Sequence, residues 1–148
     1  MQTTSVIMLV DDSEDDMELM RLAFKKAGIR NAIVEMRGGE SAIEYLSGED
    51  GYADRRHFPL PCFIVVDLKM PGVDGFDLLE WLRGQPAFAH VPTIVLTASN
   101  HEEDEKRAHE LGAWAYFVKP NGLDDLVKLV REMNEGWIAE HCPVVEAS

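Results

Sequence analysis

Five short apolar runs punctuate the chain, and segments with helical spacing follow them. The runs cover 6–10, 33–37, Phe63–Val66, 93–96 and Ala115–Val118. Their shortness and the polar or turn-forming residues behind them predict strands. The first and third are apolar throughout, the pattern of strands covered on both faces. The second, Ile33-Val-Glu-Met-Arg37, partly alternates and predicts an edge strand. Met17, Met20, Phe24 and Ala27 recur at helical spacing, with Ser13 and Asp16 as a capping box and Gly28 at the far end. A short helix is expected over 40–46, closed by Gly48. Another carries Phe76, Leu79 and Leu82. A very polar one opens on a Ser99/Glu102 box and ends at Gly112, and a last one is capped by Asn121 and carries Leu123, Leu126, Val127, Val130 and Met133. Residues 48–61 hold two prolines and two glycines and predict a surface loop. From 136 onward there is no clear period. No internal repeat or low-complexity linker interrupts the pattern.

Strand and helix alternate five times, which predicts an α/β fold with a parallel sheet and helices on both faces. Ligands of such sheets bind beyond the carboxyl ends of the strands, where the strand order reverses. The residues following the strands are therefore the informative ones. They are Asp11-Asp12, Asp67, Thr97 and Lys119-Pro120; the second strand adds nothing. Three crowded carboxylates repel one another and raise at least one pKa. A hard, oxygen-seeking cation such as Mg²⁺ relieves that conflict. Lys119 can pair with Asp67 or with a phosphoryl oxygen, and Thr97 can donate a hydrogen bond to the same oxygen. A carboxylate nucleophile, a metal and a lysine are what phosphoryl transfer to an aspartate requires.

Composition narrows the picture. The 148 residues suit one domain, here 5–136 with a C-terminal tail at 137–148 and no output domain, and 46% are apolar. Fourteen Lys+Arg against twenty-seven Asp+Glu give a net charge of -13, which argues against binding nucleic acid or an anionic membrane. No apolar run reaches membrane-spanning length, and Met1 to Ser5 do not open a signal peptide. Cys62 and Cys142 have no metal-ligand spacing. Cys62 reads as a buried small hydrophobe, and a reducing cytoplasm is the simplest compartment. Glu14, Asp15 and Asp16 read as a solvated helix start favoured by the helix dipole. The five histidines show no ligand spacing. Trp81 is expected in the core and Trp114 at the surface, while Trp137 and Ile138 suit a partner contact slightly better than a core cap. Tyr116 fits core packing.

Leu9-Val-Asp-Asp12, Val66-Asp67-Leu-Lys-Met-Pro71, Leu96-Thr97-Ala98 and Val118-Lys119-Pro120 together resemble the response-regulator receiver domain of two-component signalling. Each segment alone carries little; four in order, each at a strand end, are specific. The resemblance runs from about Ser5 to Met133. It implies a flavodoxin-like, doubly wound sheet of order 2-1-3-4-5 with five helices. It implies Asp67 as phosphoacceptor, and Mg²⁺ held by Asp11, Asp12, Asp67 and the main-chain carbonyl of Lys69. Thr97 and Lys119 would act on the phosphoryl group, Tyr116 would be the aromatic switch, and Lys119-Pro120 would be a cis peptide. Lys69 and Ser99 occupy positions that influence phosphoryl lifetime in that family. The 51–61 insertion and the end containing Trp137 are similar to small regulators serving phytochrome-type histidine kinases. That implies such a sensor kinase as partner, an unidentified downstream protein, and a homodimer. The rivals are a phosphorylation-independent docking module and a Mg²⁺-dependent aspartyl-phosphate phosphatase. The phosphatase would place an aspartate where Lys69 stands.

Overall fold

The computed structural model describes residues 5–144. The first four residues, part of the stretch read for a leader, and the last four of the tail lie outside the described residues. Five parallel strands, β1 (Ile7–Val10), β2 (Ile33–Met36), β3 (Phe63–Val66), β4 (Thr93–Thr97) and β5 (Ala115–Val118), form one sheet of order β2-β1-β3-β4-β5. Register is continuous across the middle, with Val10 opposite Met36 and Val66, and Val66 opposite Val95. The doubly wound α/β fold expected from the alternation is the observed one.

Side-chain alternation along the strands divides the core into two layers. Ile7, Leu9, Phe63, Val65, Ile94 and Leu96 face one side, where helices α1 (Glu14–Lys26) and α5 (Leu123–Met133) cover them with Met17, Met20, Phe24, Leu126, Val130 and Met133. Met8, Val10, Ile64, Val66 and Val95 face the other, under α2 (Gly39–Ser47), α3 (Gly75–Arg83) and α4 (Glu102–Glu110). The uniformly apolar strand sequences follow from this, because neither face of β1, β3 or β4 meets water.

Several local expectations are corrected. Helix α4 starts two residues later than a Ser99 cap requires: His101 occupies the cap position without a side-chain bond, and the Ser99 hydroxyl donates instead to Asp104 Oδ2 at 2.5 Å. Gly122, not Asn121, precedes α5. The bond before Pro120 is trans, since no cis peptide occurs among the described residues. An X–Pro amide prefers trans by only about 0.5–1 kcal/mol, so surrounding contacts decide its isomer. Residues without periodicity in the sequence still continue the last helix, through a π-helical turn (Asn134–Ile138) into α6 (Ala139–His141). Ile138 is fully buried in the α1/α5 layer, and half-buried Trp137 packs on Phe117, so the pair caps the core. Trp114 is exposed as expected, while Trp81 is half-buried beside Phe88. Cys62 and Cys142 form a disulfide, which corrects the expectation of an isolated buried thiol and removes the cysteine argument for a reducing compartment. No helix among the described residues is long and apolar enough to cross a membrane.

The 48–61 loop has an internal reason for its shape. Tyr52 and Phe58 pack against Tyr45 of α2, the first tilted and the second edge-on, with centroids 4.9 and 6.1 Å from its ring. Arg55 reaches back under the helix. Its Nη1 donates to the carbonyls of Tyr45 and Phe58 at 2.9 and 3.1 Å, and its Nη2 to that of Leu46 at 2.9 Å. The guanidinium thus gives the last-turn Leu46 carbonyl a partner and adds a second donor to that of Tyr45, which also accepts the Gly48 N–H at 3.3 Å. Arg55→Ala should cost about 1–3 kcal/mol, the scale of charged hydrogen bonds lost at a half-buried site. Arg55→Lys should not restore it, because a lysine lacks the planar fork. Urea denaturation of the two variants reads both outcomes.

Candidate functional site

The sheet order reverses between β1 and β3, and both strands end there in carboxylates. The hydrogen-bond ladder runs one residue past each strand: Asp11 N–H donates to Met36 O and Asp67 N–H to Val10 O, both at 3.0 Å. This holds Asp11 and Asp67 side by side with rigid backbones. Asp11 and Asp67 are buried and Asp12 is exposed; carboxylate oxygens of the three lie within 4.8 Å of one another. Three converging hard oxygen donors with an open side fit a divalent cation that keeps some of its waters. This acidic cluster can hold one.

Lys119, brought in by the end of β5, sits above the cluster. Its Nζ donates to Asp11 Oδ2 at 2.8 Å, Asp16 Oδ2 at 2.6 Å and Asp67 Oδ2 at 2.9 Å. Burial alone would pull its pKa down, but these three hydrogen bonds outweigh that and hold the ammonium above its ordinary range. Burial pushes the Asp11 carboxyl up, against the opposing pull of Lys119. Lys69 is exposed, and its backbone N–H donates to Asp67 Oδ1 at 3.3 Å. The backbone behind Asp67 has no spare room. A Cβ on Gly75, the first residue of α3, would collide with the Asp67 carbonyl and come within 2.7 Å of Leu68 Cα. Glycine therefore lets α3 start directly under the end of β3.

Thr97 ends β4 and is fully buried; its Oγ1 accepts the Ser99 N–H at 3.4 Å. The Lys119 N–H donates to the Thr97 carbonyl at 2.7 Å, which ties the two strand ends together. Tyr116 is half-buried, and its hydroxyl donates to the Ser99 carbonyl at 2.8 Å, in the loop between β4 and α4. Asp104 accepts from Ser99 and pairs with Lys69 Nζ at 3.3 Å. The Ser99 hydroxyl first, and then Lys69, hold its carboxyl below the ordinary range. The stability this adds is present above the ordinary carboxylate pKa and is lost as pH falls through the depressed value.

The five residues picked from strand ends, Asp11, Asp12, Asp67, Thr97 and Lys119, thus come to one edge of the sheet, with Lys69 in the loop after β3 and Tyr116 within β5. Two participants escaped the sequence reading. Asp16 is not a freely solvated helix-start acid but a direct partner of Lys119, and Asp104 links Lys69 to Ser99. For Asp16 the only available signal was its place in the first turn after Asp12, which a purely solvated acid shares.

Residues 7–131 match the family described as the response regulator receiver domain. The response regulator Rcp1 of Synechocystis is 32% identical over 133 residues, covering 90% of this chain and 88% of Rcp1. Its Mn²⁺-bound crystal structure superposes with a TM-score of 0.80 at 30% identity, covering 97% of this chain and 99% of that one. The phosphorylated cyanobacterial phytochrome response regulator RcpA gives a TM-score of 0.84 at 28% identity, covering 96% and 100%. A probable methanogenesis regulatory protein, FilR2 of Methanothrix harundinacea, is 31% identical over 90% of this chain and 83% of its own. The strand order, the acidic edge and a family match over most of the length agree: this chain belongs to the response regulator receiver family of two-component signalling.

Proposed function

We propose that Asp67 is the phosphoacceptor of this receiver. The observation that carries the reading is the placement of a buried carboxylate within hydrogen-bond reach of the Lys119 ammonium and beside Asp11 and Asp12. A carboxylate oxygen of Asp67 forms the new P–O bond as the P–N bond of a phosphohistidine breaks, and the imidazole leaves. Lys119 follows the charge from the carboxylate to a phosphoryl oxygen, and Thr97 donates to another. Asp11, Asp12, Asp67 and the main-chain carbonyl of Lys69 would hold Mg²⁺. When bound, the ion neutralises charge on the transferring phosphoryl oxygens. Thr97 movement toward the phosphoryl group and reorientation of Tyr116 would then reshape the α4, β5 and α5 surface.

The partner on this reading is a sensor histidine kinase. The phytochrome response regulator RcpA as a structural neighbour supports a phytochrome-type one. Cytoplasmic location, a homodimer and an unidentified downstream protein belong to the same proposal, as does a receiver unit at 5–136 followed by a tail at 137–148. The chain acts as a switch that catalyses its own phosphoryl transfer and loss rather than as an enzyme on other substrates. Lys69, two residues after Asp67, engages Asp104 and brings no general acid, which weighs against the phosphatase reading.

Incubation with a small acyl phosphate and Mg²⁺ should yield one acid-stable, base-labile phosphoryl group per chain, located on Asp67 by mass spectrometry. Asp67→Asn should abolish it. Equal labelling of that variant overturns the assignment. Phosphotransfer profiling against purified histidine kinases tests the partner, and native mass spectrometry of the same samples tests the dimer.

A further inference from the structure

Helix α1 opens with half of a capping box. The Ser13 hydroxyl accepts the Asp16 N–H at 3.2 Å, but the return bond is missing. Ser13 N–H donates instead to Asp11 Oδ1 at 2.9 Å. The Asp16 carboxylate is thereby released from capping and turns to Lys119, where it accepts the shortest of the three ammonium contacts, 2.6 Å against 2.8 and 2.9 Å. An ammonium has three N–H donors, and three carboxylates take them. Two of these, Asp11 and Asp67, belong to the group whose oxygens converge for a cation; Asp16 lies outside it.

The consequence rests on the phosphoacceptor reading above. During transfer Asp67 would give up its free carboxylate, and Asp11 would turn to a bound cation, so both would exchange partners. Asp16 would not. We infer that Asp16 is a positioning residue that keeps the Lys119 ammonium aimed at Asp67 while its other two partners change. A lysine on a flexible four-carbon stem needs such an anchor to hold one geometry through the reaction. Helix α1 supplies it, and the hydrogen bond from the Asp16 N–H to the Ser13 hydroxyl fixes the anchor's own position.

The test is a double-mutant cycle on the full chain, read as phosphorylation by acetyl phosphate at saturating Mg²⁺. Asp16→Ala should lower the maximal rate roughly two- to fivefold, the scale of one partly exposed ion pair, with little change in half-saturating donor concentration. In a Lys119→Ala background the same change should have no further effect, because the group it positions is gone. Asp16→Glu should recover part of the rate, and Mg²⁺ affinity of Asp16→Ala should stay within about twofold of wild type, the effect of one charge outside the ligand set. Equal losses in both backgrounds, no loss at all, or a tenfold fall in Mg²⁺ affinity would each overturn the inference, the last by making Asp16 a ligand. Thermal melts accompany every variant, and Asp16→Asn replaces Asp16→Ala in the cycle if the latter does not fold. Absence of labelling in wild type sinks the phosphoacceptor reading itself. Normal wild-type labelling with additive losses sinks only the role of Asp16.

Discussion

In metal-free buffer, Lys119→Met should lower folding stability by about 2–4 kcal/mol, and millimolar Mg²⁺ should return most of it. Removing one partner from a buried charge network usually costs about 3–5 kcal/mol, because the remaining charges stay desolvated. Here Asp11 is 1% exposed and the Asp67 side chain 9%, while Asp16 at 39% can rehydrate, which trims the cost. A divalent cation offers Asp11, Asp12 and Asp67 the positive charge that the variant lacks. The pH dependence has a definite sign. Burial raises the Asp11 carboxyl above its ordinary pKa, so the folded state takes up a proton there more readily than the unfolded chain. Keeping Asp11 charged therefore costs stability above that raised pKa, and the cost fades as pH falls through it. The deficit of Lys119→Met should shrink on acidification accordingly. Urea melts at several pH values, with and without Mg²⁺, read all three effects. A variant as stable as wild type, or one whose loss ignores Mg²⁺, contradicts the account.

The second large effect is expected from the disulfide. Cys62 lies just before β3 and Cys142 just after α6, so the bond closes a loop across a separation of 80 residues. Loop-closure entropy for that length corresponds to about 4–5 kcal/mol, and measured native disulfides more often give 2–4 kcal/mol. The bond also fastens a helix with few other anchors. Asn31 holds the same corner by donating from Nδ2 to Ser5 O and Cys142 O, at 2.7 and 2.9 Å. Cys142→Ser, or reduction with dithiothreitol, should lower stability by about 2–4 kcal/mol. It should also release the end of the chain first, because Ile138 and Trp137 cover the α1/α5 layer only while that helix is docked. Amide exchange should therefore rise earliest over 134–142, ahead of β1 and β3. Uniform destabilisation, or none, contradicts the tether.

Much of the fold could be read from local pattern. β3 and β5 occupy the residues that apolar runs mark, and β1, β2 and β4 differ only at their ends. Run length and turn residues act over a few positions, and the alternation of element types restricts the topology to few choices. The errors fall where a local preference meets a distant competitor. Ser99 has the spacing of a cap, but Asp104 takes its hydroxyl proton and the Tyr116 hydroxyl donates to its carbonyl. Ile138 has no periodic neighbours, yet it is buried in the apolar layer that α1 and α5 form.

Asp11, Asp12, Asp67, Thr97 and Lys119 were legible because parallel strands deliver their carboxyl ends to one edge whatever the details of packing. The sequence by itself determined the fold class, the edge on which chemistry sits and the residue types gathered there. Tertiary structure decided which of those groups touch. It aimed one ammonium at Asp11, Asp67 and the unforeseen Asp16. It joined two cysteines that spacing kept apart, and it seated the 48–61 loop on Arg55. Such pairings depend on distances between elements far apart in the chain. Hydrophobic periodicity reports which face of an element is covered, not which atom will lie 3 Å from another.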